Sequence, residues 1–168
     1  MDATFNAPRV TLAVLCRTVA AADRAYDALR QAGVASENLN VLAHGVEVDR
    51  RLVRDREINA NQKASVAEPA AASGLASHLS RKGRFLVENC WAEGPVFRRA
   101  AKRAGVKAMT ILECLEGAGL ETRTAASVES FLRGNKGVWI GVTGPVPAQP
   151  TLDESLAALK DTQVLRIS

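Results

Sequence analysis

Aromatic residues and long apolar runs are both scarce in this chain. Hydrophobic residues make up 47% of its 168 positions but aromatic residues only 4%, so we expect a core built mainly from Ala, Val and Leu. No stretch approaches the roughly 18 consecutive apolar residues that a membrane-spanning helix needs. The N-terminal "MDATFNAPRV" lacks the basic start and apolar run of a signal peptide. We therefore expect a protein with no membrane role.

Residues that commonly bind metals are also few. The chain has three cysteines, Cys16, Cys90 and Cys114, and two histidines, His44 and His78. The cysteines are odd in number and far apart, and no CxxC or Cys/His spacing of a metal motif occurs. This pattern predicts a reduced, cytoplasmic setting with no metal and no cofactor. Nearby basic residues would lower the pKa of the Cys90 thiol, but neither histidine is placed to act as its base, so we expect buried structural cysteines.

The N-terminal segment has a strand–helix–strand pattern. Residues 10–16, "VTLAVLC", form a short aliphatic run that is typical of a buried strand. Thr18 is a candidate N-cap for an amphipathic helix that ends at Gly33, and a second strand is predicted around residues 39–43. We expect the two strands to be parallel neighbours joined by a right-handed crossover.

The C-terminal segment repeats this pattern after an additional helix. Residues 122–134 predict that helix, and residues 137–142 predict a strand. Thr151 and Glu154 have the spacing of a capping box, which marks the start of a further helix. Residues 162–167 then predict a last strand.

The middle of the chain has a different composition. Residues 59–78 are rich in Ala, Ser and Asn, which predicts either a loose connection or a helix of small residues broken by proline and glycine. Residues 84–91 predict either a strand or the start of a helix, because periodicity does not distinguish the two. A helix is predicted from Pro95, which suits the first helical turn, to Gly105.

Two segments resemble one known family. In residues 10–43 the helix "AADRAYDALRQAG" follows the first strand, and in residues 119–144 "SFLRGNKG" precedes the strand "VWIGV". These features resemble bacterial general-stress or heat-induced-stress proteins. The resemblance implies a ferredoxin-like split βαβ sheet, and it supplies no catalytic residues.

We therefore predict one domain, residues 1–168, of the α/β (α+β) class. Its core, residues 9–45 and 120–168, is expected to form a ferredoxin-like sheet of three to four strands. Residues 46–119 are predicted to be a largely helical insertion and the place of the specific function. Sheets of this kind often pair through exposed edges, so a homo-oligomer is expected.

Positive charge is concentrated in the insertion. The net charge is +4, but residues 81–107 contain eight basic and two acidic residues, so this stretch carries +6 and the rest of the chain −2. Residues 47–63, by contrast, are nearly balanced and predict a solvated segment. The candidate residues for binding an anion or a nucleic acid are the cations of "GPVFRRAAKRAGVK" (94–107): Arg98, Arg99, Lys102, Arg103 and Lys107. The alternative is the solvated face of a packed helix.

A helix–turn–helix is a further interpretation of residues 97–117. Ala101, Gly105 and Ile111 have the spacing that a close approach, a turn and an angle between two helices require, and "AGVKAMTI" resembles the turn of repressors. That resemblance implies that residues 107–109 open a recognition helix facing base edges. Glu113 and Glu116 oppose this interpretation, because phosphate potential disfavours carboxylates in the major groove. A strand over residues 106–112 is an open alternative.

Three functional hypotheses follow. The first is a non-enzymatic cytoplasmic interaction or stress-adaptation protein whose basic insertion, residues 81–107, docks an acidic partner. The second is a DNA-binding regulator with the helix–turn–helix at residues 97–117. The third is a small-ligand sensor or enzyme whose site is not readable from the sequence. The lack of a catalytic motif favours a protein that is not an enzyme.

Overall fold

A computed structural model describes residues 9–44, 74–79, 85–104, 109–135, 137–144, 146 and 150–167. Within them the chain combines helices with a six-stranded antiparallel sheet, which is the α+β class. The strands are β1 (Val10–Cys16), β2 (Leu39–His44), β3 (Phe85–Val87), β4 (Cys90–Glu93), β5 (Val138–Thr143) and β6 (Thr162–Arg166). The helices are α1 (Val19–Gln31), α2 (Gly74–Leu79), α3 (Pro95–Ala104), α4 (Ile111–Gly117), α5 (Thr122–Asn135) and α6 (Pro150–Ala157).

The N-terminal strand–helix–strand unit is confirmed at the predicted positions. The hydroxyl of Thr18 accepts a hydrogen bond from the backbone N–H of Ala21 at 3.0 Å, so it caps α1. Gly33 follows the helix with a φ of 99°, a left-handed conformation that glycine adopts without strain. The prediction that β1 and β2 are neighbours is wrong, because β5 lies between them and pairs antiparallel with both.

The C-terminal elements complete the centre of the sheet. The strand β6 pairs antiparallel with the other side of β1, so the strand order is β3-β4-β2-β5-β1-β6. Since β1 is antiparallel to both β5 and β6, these two strands run parallel to each other on either side of it, and α6 connects them. The helix α5 and the strand β5 lie where the sequence predicted them.

The middle of the chain contributes strands that the sequence did not resolve. Residues 85–93 form a hairpin, β3–β4, whose turn includes Glu88 with a φ of 52°. The core ranges supply four strands, β1, β2, β5 and β6, within the expected three to four, and β3 and β4 of the insertion extend the sheet to six. A largely helical insertion is also an incomplete description, since its described residues hold two strands beside α2, α3 and α4. Residues 45–73, which include the charge-balanced segment and most of the Ala-rich stretch, lie outside the described residues.

Both faces of the sheet are covered by helices. We call the face that packs against α1, α2 and α6 the first face, and the face that packs against α3, α4 and α5 the second face. Side chains alternate between the faces, as the two-residue period of a strand requires: Leu12 and Val14 lie in the first core, and Ala13 and Leu15 in the second. No helix in the described ranges is long and apolar enough to cross a membrane.

Candidate functional site

The basic helix α3 is fastened to the sheet at its first turn. The side chain of Asn40 is fully buried; its Oδ1 accepts the N–H of Val96 at 3.1 Å, and its Nδ2 donates to the carbonyl of Gly141 at 3.2 Å. Val96 and Phe97 are buried in the second core, and Phe97 packs against Trp139 with ring centroids 5.7 Å apart. These contacts fix which side of α3 faces solvent.

The predicted anion-binding cations have different surroundings. Arg98 is 45% exposed and forms an ion pair with Oε1 of Glu93. Arg99 is half-buried and Lys102 is exposed, and neither has an acidic partner among the described residues. Arg103 lies in the helix but its side chain is not among those described, and Lys107 lies outside the described residues. The structure therefore places four of the five candidates on one helix and describes the side chains of three of them.

A buried polar chain leads inward from Arg98. Glu93 is fully buried at the end of β4, and its Oε2 lies 2.5 Å from Nε2 of His78, which is 1% exposed. The other ring nitrogen of His78, Nδ1, lies 3.1 Å from the hydroxyl of Tyr26 on α1. The chain Tyr26–His78–Glu93–Arg98 thus connects α1 and α2 on the first face, through β4, to α3 on the second face.

The charge of Glu93 determines which atoms in this chain of four side chains carry protons. Burial raises the pKa of Glu93, but hydrogen bonds and electrostatic interactions with His78 and Arg98 lower it more, so the pKa lies below its ordinary value. Glu93 is therefore ionised at neutral pH, and its contact with His78 requires a proton on Nε2. When the ring of His78 is neutral and carries its proton on Nε2, its Nδ1 accepts a hydrogen bond from the hydroxyl of Tyr26. No sequence pattern predicted this chain of side chains, because Tyr26 and His78 are 52 residues apart.

A second cluster surrounds the start of β4, on the second face. His44 and Cys90 lie directly opposite each other in the β2–β4 ladder, and cross-strand neighbours have Cβ atoms about 4.5–5.5 Å apart. The strand register thus brings His44 beside Cys90, which the sequence pattern did not indicate. Nδ1 of His44 is buried and has no hydrogen-bond partner among the described residues. Both residues line a cavity of about 180 Å³ together with Asn89, Ile111, Leu132 and Arg133.

The thiol of Cys90 is not activated by this arrangement. Burial, and then the negative charge of Glu88, raise the pKa of Cys90 to about 11. Burial raises the pKa of Cys16 and of Cys114 to about 12. The interpretation of Cys90 as a thiolate at neutral pH is therefore wrong. The prediction that all three cysteines are buried is confirmed. No group of three or more His, Cys, Asp or Glu side chains in the described ranges has the geometry to hold a metal.

Glu88 joins the β3–β4 turn to two helices. Its Oε2 accepts the N–H of Ile111, the first residue of α4, at 2.9 Å, and its Oε1 accepts Nη2 of Arg133 on α5 at 2.7 Å. The backbone hydrogen bond and then Arg133 lower the pKa of Glu88 against the effect of its partial burial. The carboxylate of Glu88 therefore lies at the N-terminus of α4, where a negative charge stabilises the helix.

The helix α4 begins later than the helix–turn–helix interpretation requires. The hydroxyl of Thr110 accepts the N–H of Glu113 at 3.1 Å, so Thr110 is the N-cap. Met109 lies before the cap and is 5% exposed in the second core, so it cannot face base edges as the sequence suggested. Residues 111–117 are helical, which also excludes a strand there. The exposed side of α4 carries Glu113 and Glu116.

No protein-family model, no curated protein and no solved structure matches this chain.

Proposed function

We propose that the protein is a non-enzymatic interaction protein and that α3 docks an acidic partner. The observation that carries the proposal is the presence on α3 of Arg99 and Lys102, which have no acidic partner in the part of the chain that the structure describes. Arg98 lies beside them, positioned by Glu93 rather than free in solvent. A helix held at its first turn by Asn40 presents these cations at fixed positions, which reduces the entropy lost on binding.

Repulsion within the helix supports an anionic ligand. Arg99 and Arg103 are four residues apart and therefore lie one turn apart on the same side of α3. Like charges at this spacing destabilise a helix by a few tenths of a kcal/mol. An acidic partner removes this repulsion, so part of its binding energy comes from relief of a cost present in the free protein.

Binding to poly-L-glutamate, measured by fluorescence anisotropy at two salt concentrations, tests the proposal. We expect binding at about 50 mM salt that weakens steeply on raising the salt, and a loss of about tenfold in the double variant Arg99→Ala/Lys102→Ala, or about 1.4 kcal/mol. The matched control is Arg123→Ala/Lys160→Ala, which removes the same charge from exposed positions on α5 and after α6. Equal losses in the two double variants, or no binding by the wild-type protein, would contradict docking by α3.

Duplex DNA is the alternative polyanion. A close approach of α3 and α4 favours it, because a Cβ added at Gly117 would lie 3.1 Å from Cβ of Ala100, as in a pair of helices that pack through small residues. The acidic exposed side of α4 opposes it. The same titration with a duplex separates the two: DNA binding predicts a salt slope set by the number of phosphates neutralised, and no binding to the duplex leaves the acidic-protein partner.

The ferredoxin-like arrangement of the strands, the cytoplasmic location and the role in stress adaptation are also part of the proposal. The order β2-β5-β1-β6, with α1 and α6 as the two crossover helices on one face, supports a ferredoxin-like split βαβ core of the kind that the stress-protein resemblance implies. A cytoplasmic location agrees with three buried thiols that form no disulfide, and a role in stress adaptation rests on the sequence resemblance. The third hypothesis, a small-ligand sensor, has its support in the His44–Cys90 cavity, and native mass spectrometry of the purified protein would detect a retained ligand.

A further inference from the structure

The exposed sides of α3 and α4 carry opposite charges. Lys102 is exposed on α3, and the half-buried Arg99 lies about one turn before it. Glu113 and Glu116 are exposed on α4 and have the same spacing. Within the part of the chain that the structure describes, these four side chains form no ion pair with one another or with a further residue. The second face thus presents two cations and two carboxylates on neighbouring helices.

The two helices run back alongside each other. They are joined by residues 105–110, and a Cβ added at Gly117, the last residue of α4, would lie 3.1 Å from Cβ of Ala100. Because Ala100 lies one turn before the end of α3 and Gly117 lies at the far end of α4, the two helices form an antiparallel pair. Their buried residues pack on the second face of the sheet, so their charged residues face away from it.

Each helix carries charge at the less favourable end of its dipole. The first turn of α3 contains no acidic residue, and Arg99 directly follows it, near the positive end of the helix. The last turn of α4 contains Glu116 and no basic residue, near the negative end. A helix that brings carboxylates to the start of α3 and cations to the end of α4 therefore removes both costs.

We propose that the acidic partner of α3 is α4 of a second copy of the chain, an inference that rests on docking by α3, the proposed function. When α3 lies antiparallel to α4 of the other copy, Arg99 faces Glu116. Lys102 faces Glu113 in the same register, because the two charges on each helix are three residues apart. This register also brings the start of α3 to the end of α4, so the helix dipoles are opposed as well.

A two-fold axis forms this contact twice. Because α3 and α4 of one copy are antiparallel neighbours, rotation about an axis parallel to them places α3 of each copy over α4 of the other, again antiparallel. The interface is therefore isologous. A second copy fits this face better than a uniformly acidic protein, because such a protein would pair with the cations of α3 but oppose the carboxylates of α4.

The dimer is expected to be weak and dependent on salt. Exposed ion pairs contribute little individually and are screened by dissolved ions, so we expect association at about 100 μM protein and low salt. The folded monomer does not depend on this contact, since its two hydrophobic cores lie within one copy.

Sedimentation equilibrium of the full chain tests the dimer. At about 20 mM salt, raising the protein concentration from about 5 to about 500 μM should increase the average mass from 17.9 kDa towards twice that value. At about 300 mM salt the association should weaken at least about tenfold. A mass that stays at 17.9 kDa over this range at low salt, or a dimer that salt does not weaken, overturns the proposal.

Charge reversal tests the pairing of the helices. Arg99→Glu/Lys102→Glu makes both helices acidic, and Glu113→Lys/Glu116→Lys makes both basic, so each double variant alone should be monomeric. An equimolar mixture should recover the dimer, because each α3 then meets an α4 of opposite charge, and native mass spectrometry should show the two chains together. Dimers of either variant alone, or no recovery in the mixture, overturn the pairing.

A matched control reverses two charges elsewhere on the surface. Arg123 and Lys160 are exposed on α5 and after α6, and Arg123→Glu/Lys160→Glu should associate like the wild-type protein. An equal loss of association in this control would show that net charge, and not the pairing of α3 with α4, governs the dimer, and would overturn the proposal.

The results also distinguish this pairing from docking by α3 as such. A protein that binds poly-L-glutamate through Arg99 and Lys102 but stays monomeric at low salt retains the proposed function and overturns the second copy as the partner. A dimer that poly-L-glutamate dissociates supports both, because the peptide competes for the same cations. Binding of neither poly-L-glutamate nor a second copy overturns both.

Discussion

Nε2 of His78 lies 2.5 Å from Oε2 of Glu93, and this contact joins a helix of the first face to the strand that leads into the basic helix. Both side chains are fully or almost fully buried, so each needs the other as a hydrogen-bond or ion-pair partner. Arg98 extends the contact to the surface and Tyr26 extends it into α1. The position of α3 on the body and the position of α2 are therefore coupled through one carboxylate.

Replacing Glu93 by alanine should destabilise the protein strongly. The substitution leaves His78 buried without its partner, and removing one member of a buried pair costs about 3–5 kcal/mol. Urea unfolding followed by circular dichroism measures the change in free energy. Glu116→Ala, at an exposed position on α4, is the matched control and should leave the stability nearly unchanged. Similar losses in both variants would show that the buried contact does not contribute.

Stability should fall on acidification below about pH 5. The pKa values of Glu93 and Glu88 in the folded protein lie below the ordinary value of 4.5, so both groups stabilise the folded state fully only above that value. The contribution is lost as the pH falls from about 5 through the lowered pKa values. Urea midpoints measured between pH 6 and pH 3 should decline, and the decline should be smaller in Glu93→Gln. An unchanged slope in that variant would contradict an ionised Glu93.

Two glycine-to-alanine variants should have opposite effects. Gly94 has a φ of 143°, and a Cβ there would overlap the side chain and backbone of Asn40, so Gly94→Ala should cost at least about 2 kcal/mol. Gly134, near the end of α5, has no atom within 4 Å of an added Cβ, so Gly134→Ala should add about 0.5 kcal/mol. Thermal unfolding checks both. A neutral Gly94→Ala would show that Asn40 does not hold α3 as described.

The three thiols should be unreactive in the folded protein. Burial raises their pKa values to about 11 for Cys90 and about 12 for Cys16 and Cys114, so almost no thiolate exists at pH 8. Reaction with a disulfide reagent such as DTNB should be slow in buffer and rapid in guanidinium, where all three react. Because the folded pKa values lie above the unfolded value of 9.0, stability should be complete below pH 9 and decline above it. Rapid labelling of Cys90 in buffer would contradict its burial.

The strands and helices with clear periodicity were predictable. The run "VTLAVLC", the Thr18 cap and the Gly33 stop specify β1 and α1 by local chemistry alone, and the structure has them at these positions. The β3–β4 hairpin was not predictable in the same way, because "RFLVENCW" has no regular period and its turn is formed by Glu88 in a left-handed conformation, without glycine. The presence of β5 between β1 and β2 follows from pairing between residues about 100 positions apart, which local patterns do not encode.

The residues of the candidate site also divide into those that sequence patterns predicted and those that they did not. The sequence identified Arg98, Arg99 and Lys102 because charge density is visible without a fold. It did not identify His44 opposite Cys90, or His78 beside Glu93, since each pair is brought together by strand register or helix packing. It also placed Met109 on an exposed recognition helix, whereas tertiary packing buries that side chain and delays the start of α4 to Ile111.

The sequence by itself determined the composition of the core, the boundaries of the periodic elements and the location of the positive charge. These depend on side-chain type, on periods of two and 3.6 residues, and on capping residues, all of which act over a few positions. Only the tertiary structure decided which cation is paired with Glu93, which thiol lies beside an imidazole, and which strands stand at the ends of the strand order. Each of these depends on contacts between distant segments, whose free energy is set by burial and register and not by neighbours in the chain.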